Sequence, residues 1–232
     1  MLKNFIHLLI SFSAFSICFL LAFLTEIRVL QNVIIYIFII QWVLFIPAYI
    51  FKTEKFYDLA GSSTYIFAVS YILYDYSENF INLILGVEII VWAVRLGTFL
   101  FFRIKKAGED KRFKEIKQSP TRFFLAWSLQ GMWVSMCSLC ALTALSTDTG
   151  VVLNGYLYLG LGVFLFGFLI EVIADKQKSK FRSIEGNKDK FINTGLWSKS
   201  RHPNYFGEII LWLGISIMSI SSLSGLQYLT LV

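Results

Sequence analysis

The densest polar segment of this apolar chain is GLWSKSRHPNYFGE, at residues 195–208. Pro203 fits the first position of a helix, where its missing N–H would be unpaired in any case. Asn204, Glu208 and Trp212 then follow at intervals of four, so they lie on one face of that helix. A carboxylate one turn inside a membrane helix costs about 3 kcal/mol unless it is paired or lines a wet cavity. Glu208 therefore predicts a functional site.

A second polar stripe lies on an upstream apolar segment, with members spaced as on one face of a helix: Glu88, Trp92, Arg95, Phe99 and Arg103. Arg95 lies about two turns from the basic segment that follows and can extend its long side chain towards it. Glu88 could reach that segment less easily. The stripe is therefore either a polar site within the bilayer, or a Glu88–Arg95 ion pair that allows both charges to be buried.

Two further polar groups have simple structural interpretations. Glu171 and Asp175 close an apolar segment, where they either line a site or form an ordinary pattern of charges at a helix end. Cys137 and Cys140 have a C-x-x-C spacing, but the sequence nearby has no His, Asp or second Cys pair to complete a metal set. We expect these cysteines to be packing residues, and we predict no metal site.

These residues must be positioned by helices in a bilayer. Hydrophobic residues make up 56% of 232 positions, the mean hydropathy is +0.66 and 16% of residues are charged, against about 25% in soluble domains. Segments in lipid must satisfy their own backbone hydrogen bonds, which favours helices. The predicted fold is an all-α, polytopic transmembrane bundle, a single integral membrane domain over residues 1–232. Its spans are Phe5–Leu24, Val33–Phe51, Ser63–Tyr74, Phe80–Phe102, Phe123–Leu145, Val151–Ile173 and Tyr205–Leu223.

Small residues are concentrated in the sixth predicted span. Gly155, Gly160, Gly162 and Gly167 reduce its width. Because small residues allow helix backbones to approach closely in membranes, we expect this span to pack tightly against a neighbour.

Basic residues are concentrated in two segments outside the spans. Residues 103–122 and residues 175–201 each hold eight Lys or Arg and three acids, and together they hold 16 of the 21 basic residues. The two spans between them are joined by the short turn 147–150, so both segments emerge on one side. The positive-inside rule makes that side cytoplasmic. The net charge of +6 therefore requires no nucleic acid partner.

The bases themselves have two functional interpretations. They either set the topology and contact anionic headgroups of membrane lipids, or they bind a phosphorylated cofactor that enters from the cytoplasm. The sequence has no glycine-rich strand–helix fingerprint for a dinucleotide. Any dinucleotide must therefore be bound by the membrane bundle itself.

The order and spacing of these motifs resemble the steroid 5-alpha-reductase-like family of membrane enzymes. The run RHPNYFGE at residues 201–208, preceded by GLW, resembles the signature of its bacterial-type and sterol-reductase members. Three upstream segments agree with the family's pattern: Trp92, Arg95, Leu96 and Arg103 with Glu109–Phe113; Leu129–Gly131; and Glu171–Lys178. The resemblance extends over residues 88–214 and makes residues 80–223 the reductase-like region.

The resemblance implies a seven-span bundle that encloses NADPH, with a lipid-soluble substrate entering from the bilayer. Lysine and arginine side chains would neutralise the pyrophosphate and the 2′-phosphate. Asn204 would hydrogen-bond the carboxamide or the adenine edge. By matched position, the implied cofactor-binding residues are Arg95, Arg103, Lys106, Asp175, Arg182, Lys190, Arg201, His202, Asn204 and Glu208.

The implied activity is NADPH-dependent reduction of the C=C bond of a lipid-soluble enone, steroid-like or isoprenoid-like. A donor at the substrate carbonyl polarises the enone, so that hydride is accepted at the β-carbon and a proton follows at the α-carbon. The candidate catalytic donor is Glu208, in its protonated form, or Tyr205. The family's usual tyrosine on the fourth span is replaced by Trp92, which leaves open which residue is the acid.

Two other classes are alternatives. The isoprenylcysteine carboxyl methyltransferase family, which uses S-adenosylmethionine, shares an Arg-His-Pro-x-Tyr-x-Gly run. However, Glu208 directly follows Gly207 here, the segment 103–113 fits the reductases, and the sequence lacks the acidic C-terminal helix of the methyltransferases. A catalytically silent membrane scaffold or lipid-binding protein is the other class. Reductase-like sequences usually continue with a polar, basic C-terminal segment, so we expect either a truncated sequence or impaired activity.

Overall fold

The computed structural model describes residues 1–76, 78–110, 112–187 and 190–231. Regular structure in these ranges consists of α-helices and short 3-10 turns, which confirms the all-α fold class. The 3-10 turns are Gly195–Ser198, Ile220–Ser222 and Gly225–Thr230. The helices are α1 Leu2–Leu24, α2 Arg28–Ile50, α3 Tyr57–Tyr76, α4 Phe80–Ala107, α5 Phe113–Ile116, α6 Pro120–Leu145, α7 Gly155–Ser183 and α8 Pro203–Ser219.

Four residues that belong to the sequence predictions lie outside the described residues. They are Lys111 of the segment 109–113, Lys188 and Asp189 of the second basic segment, and the terminal Val232.

Six helices among the described residues are long and apolar enough to cross a bilayer: α1, α2, α4, α6, α7 and α8. The chain is therefore a polytopic membrane protein. The third predicted span is a helix, but it extends over Tyr57–Tyr76 rather than Ser63–Tyr74. It is not one of the six, because its first two turns carry polar residues such as Asp58 and Ser62.

Side chains cap the starts of three long helices, α4, α6 and α7. Asn154 accepts hydrogen bonds from the N–H groups of Tyr156 and Leu157, at 2.9 and 3.2 Å, and so caps α7. Pro203 is the first residue of α8, as the sequence predicts. The Asn154 cap and the N-terminal proline thus mark the starts of the two helices that carry most of the predicted site.

One compact unit comprises Met1–Val151 and Ser222–Val232. Within it, α6 packs against α1, α2 and α3, and much of its length is buried. Hydroxyl groups on this helix donate to carbonyls one turn back: Ser138 to Val134 O and Thr143 to Leu139 O, each at 2.7 Å. These two hydroxyls therefore need no polar partner from a neighbouring helix.

The second compact unit is Val152–Ser221 and is built on α7 and α8. Their contact runs along glycines: a Cβ on Gly207 would lie 2.7 Å from Gly167 O, and a Cβ on Gly214 would lie 2.7 Å from Gly160 O. Only glycine leaves room for such an approach. Two of the four glycines predicted to narrow the sixth span, Gly160 and Gly167, do face α8.

Candidate functional site

Two buried acids occupy the α7 side of the α7–α8 unit. Glu171 and Asp175 are one turn apart on α7, and their residues are 2% and 5% exposed. A Cβ on Gly207 would lie 2.6 Å from Glu171 N. The absence of a side chain at Gly207 therefore allows the acidic turn of α7 to lie against the first two turns of α8.

The α8 side of the same unit presents an amide and a third acid. Asn204 and Glu208 are both half-buried and lie one turn apart. The side-chain oxygen of Asn204 is buried, and no described residue donates a hydrogen bond to it. Buried polar atoms in proteins are normally paired, so this oxygen is suited to accept an N–H from a ligand.

The signature residues before α8 are exposed. The rings of His202 and Tyr205 stack, with centroids 5.2 Å apart and an interplanar angle of 14°. The backbone N–H of His202 donates to the Ser200 hydroxyl at 3.2 Å. The neighbouring Arg201 is exposed. The predicted donor Tyr205 is therefore held at the surface of this unit by stacking, with 55% of the residue exposed.

The turn Gly195–Ser198 is held against the end of α7 by three side chains. The Trp197 indole N–H donates to Ala174 O at 3.0 Å, and the Gln177 side-chain oxygen accepts the Leu196 N–H at 2.9 Å. The Lys178 ammonium lies 4.5 Å from the centre of the Trp197 ring. Sequence analysis assigned no site role to Gln177, Lys178 or Trp197, although all three lie within the quoted motifs.

Two further predicted bases belong to this unit. Arg182 lies in the last turn of α7 and Lys190 lies in the segment that follows, and both are exposed. The 2′-phosphate and pyrophosphate of a dinucleotide would require such accessible cations. The buried acids and the exposed bases are thus separated by about two turns along α7.

The predicted stripe on α4 belongs to the first unit. Glu88 is buried, and neither carboxylate oxygen has a hydrogen-bond partner among the described residues. The interpretation as a Glu88–Arg95 ion pair is therefore wrong. Arg95 is half-buried, with its guanidinium 5.3 Å from the centre of the Phe99 ring. Trp92, which replaces the family tyrosine, is buried edge-to-face against Tyr65, with centroids 5.1 Å apart.

An acid–base network lies at the end of the first unit where α4 ends and α3 begins. Arg103 lies 3.8 Å from Asp58, and Lys106 is exposed. Glu54 accepts hydrogen bonds from Lys117 at 2.7 Å and from the Asp110 N–H at 3.0 Å. Burial alone would raise the pKa of Glu54, but these two donors outweigh it and lower its pKa below the ordinary value.

The predicted cofactor residues are divided by unit. Arg95, Arg103 and Lys106 lie in the first unit, and the other predicted residues lie in the second: Asp175, Arg182, Lys190, Arg201, His202, Asn204, Tyr205 and Glu208. Sequence analysis missed Glu54, Asp58 and Lys117. An isolated acid between two apolar segments is the signal that could have pointed to Glu54.

Comparison with known proteins shows the family. A family model described as "protein of unknown function (DUF1295)" matches residues 44–232. The chain belongs to the DUF1295 family. This DUF1295 assignment agrees with the coarse resemblance given above, since the family is steroid 5-alpha-reductase-like.

One curated relative of this DUF1295 protein is named probable O-methyltransferase ustE, from Ustilaginoidea virens. The two sequences are 30% identical over an alignment of 117 positions, and the match covers 44% of this chain and 41% of the relative. The match thus spans less than half the length of that protein. No solved structure matches the chain.

Proposed function

We propose that this protein is a membrane-embedded, NADPH-dependent reductase that reduces the C=C bond of a lipid-soluble enone. The observation that carries the proposal is the buried, unpaired oxygen of Asn204 on the signature helix, one turn before Glu208. An amide oxygen in this setting can accept an N–H from the carboxamide or the adenine amine of a dinucleotide. The same unit presents exposed cations at Arg182, Lys190 and Arg201, and these fit the phosphates.

Each step of the proposed reduction can be assigned to a group that is present or to the bound cofactor. NADPH, when bound, supplies the hydride that the β-carbon of the enone accepts. Tyr205 or Glu208 donates a hydrogen bond to the substrate carbonyl, which stabilises the negative charge that develops there, and then provides the proton that reaches the α-carbon. His202 orients Tyr205 by stacking on its ring. The first turns of α8 thus carry both the cofactor contact and the candidate donors.

A second candidate is a methyltransferase that uses S-adenosylmethionine. The specific observation in its favour is the match to a relative named as a probable O-methyltransferase. The buried acids Glu171 and Asp175 would also suit a cationic sulfonium better than they suit a polyphosphate. The two candidates therefore predict opposite preferences between an anionic and a cationic ligand.

Thermal melting of the detergent-purified protein with each ligand distinguishes the candidates. A ligand at 100 times its dissociation constant adds about 2.7 kcal/mol to the free energy of unfolding. We expect NADPH to raise the melting temperature and S-adenosylmethionine to leave it unchanged. Stabilisation by S-adenosylmethionine alone would refute the reductase proposal and support the methyltransferase. No response to either ligand would count against both proposals.

An arginine variant tests the cofactor contact more sharply. Arg182→Ala should weaken NADPH binding more than NADH binding, because a guanidinium that binds the 2′-phosphate has nothing to bind in NADH. Arg28→Ala is the matched control, since Arg28 is an exposed arginine at the start of α2. Equal loss of both nucleotides in Arg182→Ala would show that this residue does not contact the 2′-phosphate.

A further inference from the structure

Two glutamines of the first unit hold their side-chain amides against neighbouring positions of α3. Gln130 on α6 lies over Gly61, where a Cβ would be 2.6 Å from Gln130 Nε2. Gln41 on α2 donates from its Nε2 to the Thr64 hydroxyl at 2.8 Å. Positions three residues apart on a helix have Cβ atoms about 5–6 Å apart, so the two amides contact one face of α3 at adjacent positions.

The two glutamines also lie at the same depth in this unit. Ala48, near the end of α2, and Phe123, near the start of α6, belong to one buried cluster. Gln41 lies seven residues before Ala48, and Gln130 lies seven residues after Phe123, so each is about 10 Å from that cluster along its own helix. A Cβ on Gly131 would lie 3.5 Å from Gln41 Cγ, which makes the two glutamines neighbours.

The hydrogen bonds fix which end of each amide is used. The Thr64 hydroxyl donates its only hydrogen to Ala60 O at 2.7 Å, so towards Gln41 it can only accept. Gln130 Nε2 donates to Tyr57 O at 3.0 Å, and a carbonyl oxygen likewise only accepts. Both amide nitrogens are therefore bound to α3, and each glutamine presents its Oε1 as an acceptor.

These two oxygens are buried acceptors. Gln41 is fully buried, and the side-chain oxygens of Gln41 and Gln130 receive no hydrogen bond from any described residue. Buried polar atoms in proteins are normally paired, because an unpaired one loses its hydration without compensation. Two such oxygens on neighbouring side chains are therefore suited to a ligand that supplies two hydrogen-bond donors.

The surroundings favour a neutral ligand with an apolar chain. Both amides lie within the membrane-spanning helices α2 and α6, and the residues that contact them are uncharged. A cation bound there would have no negative partner among these residues, which is costly inside a bilayer. Gln130 is half-buried, and Leu129 and Trp133, one turn apart on the same helix, are 44% and 58% exposed. Apolar surface therefore borders the amides.

We propose that Gln41 and Gln130 bind a neutral, lipid-soluble diol. Each amide oxygen accepts a hydrogen bond from one of the two hydroxyl groups, and the apolar chain of the ligand lies on α6 at Leu129 and Trp133. The site lies entirely within the first unit and does not rest on the proposed reductase function. A single water molecule also offers two donors, so the experiment must separate a diol from trapped water.

Three lipids with the same alkyl chain and different numbers of donors make the test. Tritiated 1-O-hexadecylglycerol, with two hydroxyl groups, is bound to the detergent-purified protein in a scintillation proximity assay. The competitors are hexadecan-1-ol, with one hydroxyl group, and 1-O-hexadecyl-2,3-di-O-methylglycerol, with none. Because a net hydrogen bond contributes about fivefold in affinity, the diol should bind about fivefold more tightly than the alcohol and about 25-fold more tightly than the diether.

Methionine variants assign this preference to the two amides. Gln41→Met and Gln130→Met each remove one acceptor and keep a side chain of similar size. Each variant should bind the diol about fivefold more weakly, and the double variant should bind the three lipids alike. Gln31→Met is the matched control, because Gln31 is a half-buried glutamine on α2, and it should leave the preference unchanged.

The results that would overturn the proposal are distinct. Equal affinities of the three lipids for the unmodified protein would show that the amides bind water only. A preference for the diol that persists in the double variant would place the diol elsewhere on the protein. Melting followed by circular dichroism checks that each variant is folded; if one single variant is not, the other carries the test. A graded preference that each single variant reduces, with Gln31→Met unchanged, supports the site.

Discussion

The glycine contact between α7 and α8 makes a quantitative prediction through Gly167→Ala. The three heavy atoms nearest to a Cβ built at Gly167 are all backbone atoms of α8, and they include Gly207 O at 2.6 Å and Ile210 C at 3.0 Å. Backbone atoms of a helix cannot rotate away, so the two helices must move apart. Overpacking of this kind costs about 1–3 kcal/mol in well-packed interiors.

A matched substitution on the same helix isolates that cost. Gly162 lies five residues earlier on α7, and nothing lies within 4 Å of a Cβ built there. Both variants gain the same intrinsic helix propensity from alanine, up to about 1 kcal/mol, but only Gly167→Ala introduces a collision. The difference between the two variants is therefore the packing term alone, and Gly167→Ala should be less stable than Gly162→Ala by about 1–3 kcal/mol.

The measurement is reversible unfolding in mixed micelles, with increasing dodecyl sulfate followed by circular dichroism. We expect Gly162→Ala to unfold at the same midpoint as the unmodified protein or at a higher one, and Gly167→Ala to unfold at a lower one. Equal midpoints for the two variants would show that α7 and α8 do not touch along this face. The positions of Asn204 and Glu208 beside the acidic turn of α7 would then lose their support.

Three more outcomes follow from individual contacts. Because the folded-state pKa of Glu54 is lowered, its contribution to stability is complete above its ordinary pKa and is lost as the pH falls through the folded value. The free energy of unfolding of Glu54→Gln should therefore fall less on acidification than that of the unmodified protein. The fall that remains includes the contribution of Asp110, whose pKa is lowered by its hydrogen bond with Arg112. Glu88→Leu should raise the free energy of unfolding by about 1–3 kcal/mol, because it removes a buried polar group without a hydrogen-bond partner; a lower midpoint would contradict this. Gln177→Ala removes the side-chain oxygen that accepts the Leu196 N–H of the Gly195–Ser198 turn. Faster tryptic cleavage of residues 184–201 should follow, whereas an unchanged cleavage rate would show that this contact does not hold the turn.

Hydropathy was sufficient to place the helices because lipid allows few alternatives for an apolar segment. The start of α8 at Pro203 could also be predicted, since proline is favoured at that one position of a helix. The error at α3 has a physical reason: its first turns are polar, so the apolar stretch began six residues after the helix does. Glycine content indicated close packing of the sixth span but not which glycines face a neighbour.

Only the parts of the site that lie on a single helix could be predicted from the sequence. The spacing of Asn204 and Glu208 places them on one face of α8, because the period of a helix is known in advance. The burial of Glu54 could not be read in the same way, since its partner Lys117 is 63 residues away in the sequence. The sequence also could not show that the Glu88 carboxylate has no hydrogen-bond partner among the described residues. Arg95 lies two turns away on the same stripe, and that spacing alone does not tell whether the two side chains meet.

The burial of α6 has a consequence for how this protein tolerates change. The hydroxyls of Ser138 and Thr143 donate to carbonyls of the same helix, and α6 packs against α1, α2 and α3. A larger side chain on the buried face of α6, for example at Leu139 or Leu142, has no free space to enter, whereas α1 exposes residues such as Leu9 and Phe12. A scan of all substitutions for membrane expression should therefore find α6 the least permissive helix of its unit and the outer face of α1 the most permissive.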